Sequence, residues 1–241
     1  MTGATATLRS RKLDRPPVDR LYGRRRGHAL RPRQRRLLDL ALPRLRLAAA
    51  DAADPRAAFR AAVREVWLEV GFGSGEHAEE LVGRHPEVGL IAAEVFENGI
   101  VSLLSRIVPD GAEQTAALPP NLLLWPEDAR ALLRLLPDAA LSRLFLLFPD
   151  PWPKPRHARR RFVHPALIDP IARVLRPGGE WRIASDDATY QAWVEETLAG
   201  QDRFGIVSVH DARPADWPPT RYEAKALREG RRPLYWTLRR R

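Results

Sequence analysis

Cysteine is absent from the chain, so a disulfide framework, a thiolate metal site and a cysteine nucleophile are all excluded, and the fold rests on its core alone. The six histidines are scattered and none stands in an HExxH-like spacing, which argues against a metal centre. No run approaches the roughly 18 consecutive apolar residues of a membrane helix. The N-terminus is polar and arginine-laden, without an apolar signal core. The expectation is a cytoplasmic protein with no membrane partner, and nothing in the composition chooses between monomer and homodimer. Lysine is almost missing as well: Lys12, Lys154 and Lys225 are the only three, and arginine does the remaining basic work.

What is present is a 241-residue chain with 44% hydrophobic residues, enough for one large core. Its net charge of +10 is unevenly placed. Residues 1–46 hold fourteen Lys/Arg against Asp14, Asp19 and Asp39, a surplus of +11, so the remainder is close to neutral at −1. A cationic arm on a neutral body is the electrostatic footprint of a polyanion binder, because each arginine that meets a phosphate releases condensed counterions. The bland alternative is a solubilising tail.

Residues 1–30 lack hydrophobic periodicity and carry Pro16, Pro17, Gly23 and Gly27, so they are expected to be flexible without a partner. "PRQRRLLDLAL", 32–42, starts with proline at a helix-start position and predicts a short basic helix that Pro43 ends. Beyond it, "REVWLEVG", "VGLIAAEV", "NLLLW", "LSRLFLLF" and "GEWRIAS" read as strands alternating with helical segments at 75–85, 97–107, 128–136, 163–175 and 187–199. That order means βαβ units and a mostly parallel sheet covered on both faces. "FGIVSVH" and "RPLYWTLRRR" add two strand-like runs, expected as an antiparallel edge pair. The expected class is therefore α/β and Rossmann-like, with an arm over 1–46 and one domain over 47–241.

"LEVGFGSG" puts Gly71, Gly73 and Gly75 between the first strand and its helix, where missing side chains let backbone N–H groups approach a ligand. The dinucleotide fingerprint would need glycine or alanine at 76, and Glu76 stands there, so a pyrophosphate is disfavoured. Instead three acids gather at the carboxyl edge of the sheet: Glu69 before the loop, Glu94 at the end of the second strand, and Asp128 after the third. Each alone has a dull explanation as a turn or a helix cap. Together they suit a cofactor that is cationic rather than phosphorylated, and S-adenosylmethionine, with a sulfonium, an ammonium and no phosphate, meets that demand.

The fourth strand runs into "FPDPWPKPRHARRR". Pro149, Pro151 and Pro153 forbid helix and ladder hydrogen bonds, so Asp150 is expected to be presented rigidly beside the glycine loop. Lys154, Arg156, His157, Arg159, Arg160 and Arg161 follow, a cluster suited to phosphates or, more blandly, a solvated basic turn. For Trp152, packing under the loop is favoured over stacking on a base.

"LEVGFGSG", "AEVFENG", "FPDPWPKPRHARRRFV", "ASDDATY" and "PPTRYEAKALREG", in that order, together resemble the bacterial tRNA (guanine-N7)-methyltransferases, from about residue 22 to the C-terminus. The proline-rich block is the specific part; the glycine loop alone says only class I methyltransferase. The resemblance implies a seven-stranded methyltransferase fold, S-adenosylmethionine as donor and, as acceptor, the guanine at position forty-six of the tRNA variable loop. It implies cofactor contacts from Glu69, Glu94, Asp128 and Asp150, with Asp150 also catalytic. Substrate contacts would come from Lys154, Asp186, Thr220, Arg221, Tyr222 and Glu223, and RNA contacts from 154–159. Arg221 and Tyr222 stand where the family usually has lysine and phenylalanine, and Ala158 with Arg159 where it usually has a lysine, so charge and ring are kept.

Guanine N7 carries a lone pair and no proton, so its methylation needs no general base. Carboxylates aimed at the guanine N1–H and amino group would select guanine over adenine, and Asp186 and Glu223 are the expected readers. Rival readings are an amino-group methylase, echoed by "PDPW" but without its paired prolines; a non-catalytic RNA-binding relative, disfavoured by the intact acids; and a nicotinamide oxidoreductase, disfavoured by Glu76.

Overall fold

The computed structural model describes residues 25–241, and the expectation of a flexible stretch over the first 24 residues lies outside them. Seven strands form one sheet: β1 (Glu65–Val70), β2 (Val88–Ala93), β3 (Leu122–Trp125), β4 (Leu141–Leu147), β5 (Leu175–Ser185), β6 (Phe204–His210) and β7 (Leu234–Arg240). Their order is β3-β2-β1-β4-β5-β7-β6; the first five are parallel, and β7 pairs antiparallel with both β5 and β6. The expected α/β architecture with an antiparallel C-terminal edge is thus present. The order in which successive strands join the sheet reverses between β1 and β4, the switch point where open α/β sheets leave a crevice.

Helices α1 (Pro32–Arg36), α2 (Glu76–Arg84), α3 (Glu97–Ile107), α4 (Ala129–Leu135), α5 (Pro165–Val174), α6 (Ala188–Ala199) and α7 (Arg221–Arg228) complete the fold. Alternation along the central strands divides the core. Leu68, Val70, Leu144 and Leu146 pack with Leu132, Ile171 and Trp193, while Trp67, Leu90 and Phe145 pack with Leu81, Leu103 and Leu104 on the opposite face.

Three details differ from the sequence expectation. The basic helix keeps α geometry only over Pro32–Arg36 and passes into a π turn, Leu37–Ala41, and a 3-10 turn, Leu42–Arg44. β5 starts at Leu175 rather than after the Pro-Gly-Gly: Leu141 pairs with Leu175 and Arg143 with Glu180, so 176–179 bulge out of the ladder, helped by φ +74° at Gly178. Helix α7, in a stretch the strand-and-loop reading left unassigned, is capped by the Thr220 side chain, which accepts from the Glu223 amide at 3.1 Å.

Residues 25–47 lie against the body. Leu37, Ala41, Leu45 and Leu47 are buried, and Leu47 N–H donates to Leu124 O at 2.9 Å. Arginines of this stretch meet acids far along the chain: Arg26 pairs with Glu97 (3.2 Å), Arg33 with Asp110 (2.7 Å), Arg36 with Glu113 (3.3 Å) and Arg46 with Glu127 (2.5 Å). Arg25, Arg31 and Arg35 remain exposed to solvent.

Candidate active site

Both loops singled out in the sequence open at the switch point, one after β1 and one after β4. They wall a cleft of about 720 Å³ that includes Gly71, Gly73, Glu94, Phe148, Asp150, Trp152 and Tyr222. A smaller recess beside it is lined by Gly71, Glu94, Val95, Asp128, Arg130 and Phe162. The β1 loop can be this tight because Gly71, Gly73 and Gly75 hold φ of +74°, +59° and +82°, and because side chains have no room at 73 and 75. A Cβ on Gly75 would lie 2.6 Å from Leu103, and one on Gly73 would lie 2.9 Å from the Tyr222 ring.

Glu94 ends β2 and reaches back to that loop. Its Oε2 accepts from the Gly73 amide at 2.9 Å, and its Oε1 accepts from the amides of Val95 (2.8 Å) and Phe96 (3.0 Å). Burial raises its pKa above the ordinary 4.5, the three amides oppose the rise, and the Asp150 charge adds to it. Asp128 caps α4, accepting from the Arg130 amide at 2.9 Å, and its carboxylate is held by the Arg130 guanidinium. Glu69 sits elsewhere: it is 3% exposed, under α2, with Oε1 3.2 Å from Nδ1 of the equally buried His77. The sequence reading could not see that partner, which comes from the helix following the loop.

Asp150 borders the cleft, is exposed, and stands between Phe148 and Trp152, two non-glycine residues with left-handed φ of +50° and +45°. Trp152 is half-buried, with His157 edge-on at 5.8 Å and the Arg160 guanidinium 4.7 Å over its ring. The basic run forms a 3-10 turn, Pro155–Arg160, that leaves Lys154, Arg156 and Arg159 exposed. His157 is pushed below its ordinary 6.5 by desolvation and then by Arg160, Arg156, Lys154 and Arg159, which favours its neutral form. Arg161, expected among the phosphate contacts, is placed differently from its neighbours. It is buried, its Nε donating to Pro151 O and its Nη2 to Trp152 O, both at 3.0 Å.

The C-terminal segment closes the far wall. Tyr222 packs on Gly73, and Arg221 donates to the Tyr222 hydroxyl at 3.0 Å. Glu223 is largely buried and already engaged by the Tyr235 hydroxyl (2.9 Å) and by Arg213 (3.0 Å). Asp186, at the end of β5, faces Arg231 at 2.8 Å. Among the described residues no group of three His, Asp or Glu could hold a metal, and no helix is long and apolar enough to cross a membrane.

Glu94 and Asp150 thus line one cleft beside the glycine loop. A family model described as "putative methyltransferase" matches residues 63–235. A tRNA (guanine-N(7)-)-methyltransferase of Granulibacter bethesdensis is 61% identical over 224 residues, covering 92% of this chain and 96% of the relative. The Rhodospirillum rubrum protein of the same name is 48% identical, covering 95% and 91%. In fold, the chain resembles the 16S rRNA methyltransferase KamB (TM-score 0.54, 19% identity, 75% of this chain and 90% of that one). It also resembles TrmN from Thermus thermophilus (TM-score 0.53, 16% identity, 80% and 48%).

Proposed function

The chain belongs to the tRNA (guanine-N7)-methyltransferase family, and from that premise we propose that its cleft brings S-adenosylmethionine to the guanine at position forty-six of the tRNA variable loop. The protein is an enzyme, a methyltransferase that modifies guanine N7 in tRNA. The cytoplasm, where tRNA is, would be its place of action.

The observation that carries the cofactor reading is the Glu94–Asp150 pair. Burial first, and the Asp150 charge after it, raise the proton affinity of Glu94, and a cation in the cleft would offset both. Gly71, Gly73, Glu94, Asp128 and Asp150 would hold the donor, with Glu69 and Gly75 framing the loop from beneath. The donor supplies a methyl group on a sulfonium, which the guanine N7 lone pair displaces in line as the sulfur takes up the departing bond pair. No proton leaves N7, so no residue has to act as base. The chain's part is orientation, exclusion of water by Tyr222, Phe148 and Trp152, and a negative field along the path by which positive charge moves to the purine.

For the acceptor, Asp186 is the better reader of the guanine edge, since its partner Arg231 is exposed on one side, whereas Glu223 is occupied by Tyr235 and Arg213. Thr220, Arg221 and Tyr222 would complete the substrate wall. Lys154, Arg156, His157, Arg159 and Arg160 would meet RNA, the cations giving affinity without sequence information. Residues 1–46 would serve as a basic RNA-contacting arm on the 47–241 domain, its anchored half contributing Arg25, Arg31 and Arg35.

The test is to incubate the protein with labelled S-adenosylmethionine and unmodified tRNA, then digest and identify the nucleoside. Label is expected in 7-methylguanosine at position forty-six and reduced at least about a hundredfold in Asp150→Ala. Label on another base, or an unimpaired variant, overturns the assignment.

A further inference from the structure

Arg160 and Arg161 are neighbours in one arginine run, yet they are held differently. Arg160 lies over the Trp152 ring on the cleft wall, whereas Arg161 is only 5% exposed. Its Nε and Nη2 donate to the consecutive carbonyls of Pro151 and Trp152, 3.0 Å each, and its guanidinium carbon lies 4.7 Å over the ring of Trp193 on α6. Trp193 is itself fixed, its indole N–H donating to Val163 O at 2.5 Å. Among the described residues no carboxylate lies within ion-pair distance of Arg161, although the charges of Asp187 and Glu196 act on it from farther away. A buried guanidinium in such a place is stable through the two carbonyls it binds and the aromatic face beneath it.

The loop needs such a restraint. Pro149, Pro151 and Pro153 have no N–H, so the stretch around Asp150 cannot build a hydrogen-bonded turn of its own. Phe148 and Trp152, at either side, hold left-handed φ that non-glycine residues keep only when the surroundings impose it. The fork on Pro151 and Trp152 grips the backbone immediately after the acid, and α6 carries the load.

We propose that Arg161 is a positioning residue for methyl transfer: its two-pronged hold on the Pro151 and Trp152 carbonyls fixes the turn that presents Asp150, and it is not a phosphate contact. This rests on the role given above to Asp150. Arg161→Lys keeps the charge but, with a single ammonium in place of a planar fork, cannot hold both carbonyls in one plane. A phosphate contact would tolerate that change; a clamp would not.

Wild type, Arg161→Lys and Arg161→Ala should be compared with unmodified tRNA for kcat, KM, tRNA affinity at several salt concentrations, and hydrogen exchange over 148–161. Both variants are expected to lose at least about tenfold in kcat at saturating tRNA, with faster exchange in the loop and the slope of log K against log salt unchanged. Millimolar guanidinium ion should restore part of the Arg161→Ala rate by refilling the buried slot. If Arg161→Lys keeps full kcat, or if Arg161→Ala flattens the salt slope by about one contact with kcat intact, the inference falls. Should Arg161→Ala melt before assay, Arg161→Lys and the loop exchange decide. Failure of the functional reading would look different: the wild type itself would form no 7-methylguanosine.

Discussion

The Glu94 carboxylate and the Gly73 amide meet at 2.9 Å, joining the end of β2 to the turn after β1 across the mouth of the cleft. Because burial is the main cause of the raised Glu94 pKa, the free protein holds this proton at a pH where an ordinary carboxyl of 4.5 is ionised. A cation in the cleft favours the ionised form, so binding expels the proton. Affinity for S-adenosylmethionine should therefore climb, by about tenfold per pH unit at most, as pH rises through the window just above 4.5. Calorimetry in two buffers of different ionisation heat measures the release, and Glu94→Gln should abolish it. A wild type that binds with no proton release would rule this out.

The parts legible in sequence were those written in local pattern: strand–helix alternation, the glycine turn, and an acid framed by prolines. What stayed hidden depends on contacts between distant residues. Nothing in "RHARRR" says that Arg161 turns inward while Arg160 faces the cleft, because a run of arginines carries no direction until Trp193 supplies a surface to lie on. The surplus charge of the N-terminal stretch read as free for RNA, yet Arg33 and Arg36 meet Glu113, nearly eighty residues on. Glu69 was legible as an acid before a glycine loop but not as the buried companion of His77, since strand alternation turns it under α2.

Gly99, on α3, is where the glycine loop comes nearest a helix. A Cβ there would lie 2.3 Å from the Gly73 carbonyl oxygen, so the loop backbone cannot stay in place, while Cγ of Glu94 at 3.4 Å would be in ordinary contact. Gly99→Ala should cost about 1–3 kcal/mol of stability. It should also weaken S-adenosylmethionine binding more than tenfold by pushing the loop into the cleft. Thermal melts and calorimetry on the one variant check both, and undiminished affinity would show that the loop yields without consequence.

Glu113 is the buried acid on which Arg33 and Arg36 converge, at 3.4 Å and 3.3 Å. Its pKa is lowered from the ordinary 4.5, first by its own amide and, against the opposing effect of burial, by Arg36. A lowered folded pKa means stabilisation fully present above 4.5 and lost as pH falls through the folded value. Melting temperature should drop over that acid window, and Glu113→Gln should melt lower near neutrality with a flatter acid limb. Identical acid limbs in the two proteins would show that this anchor of residues 25–47 carries no pH dependence.

Asp186 and Arg231 face each other at 2.8 Å, and Arg231 is also held by Glu229 at 2.6 Å. With the arginine side chain 40% exposed, the pair contributes no more than about 1 kcal/mol, so Asp186→Asn should shift the melting temperature by about 2–4 °C at most. Its effect on the reaction should be far larger. An amide turned toward the guanine edge offers one acceptor where the carboxylate offers two, leaving the N1–H and amino group imperfectly matched. The expected result is a fall of about tenfold or more in kcat/KM for tRNA, with S-adenosylmethionine affinity unchanged. Arg231→Ala supplies the control: it removes the same ion pair while leaving the carboxylate in place, so tRNA turnover should persist. Loss of turnover in both variants would make the ion pair, rather than the acid, the functional element.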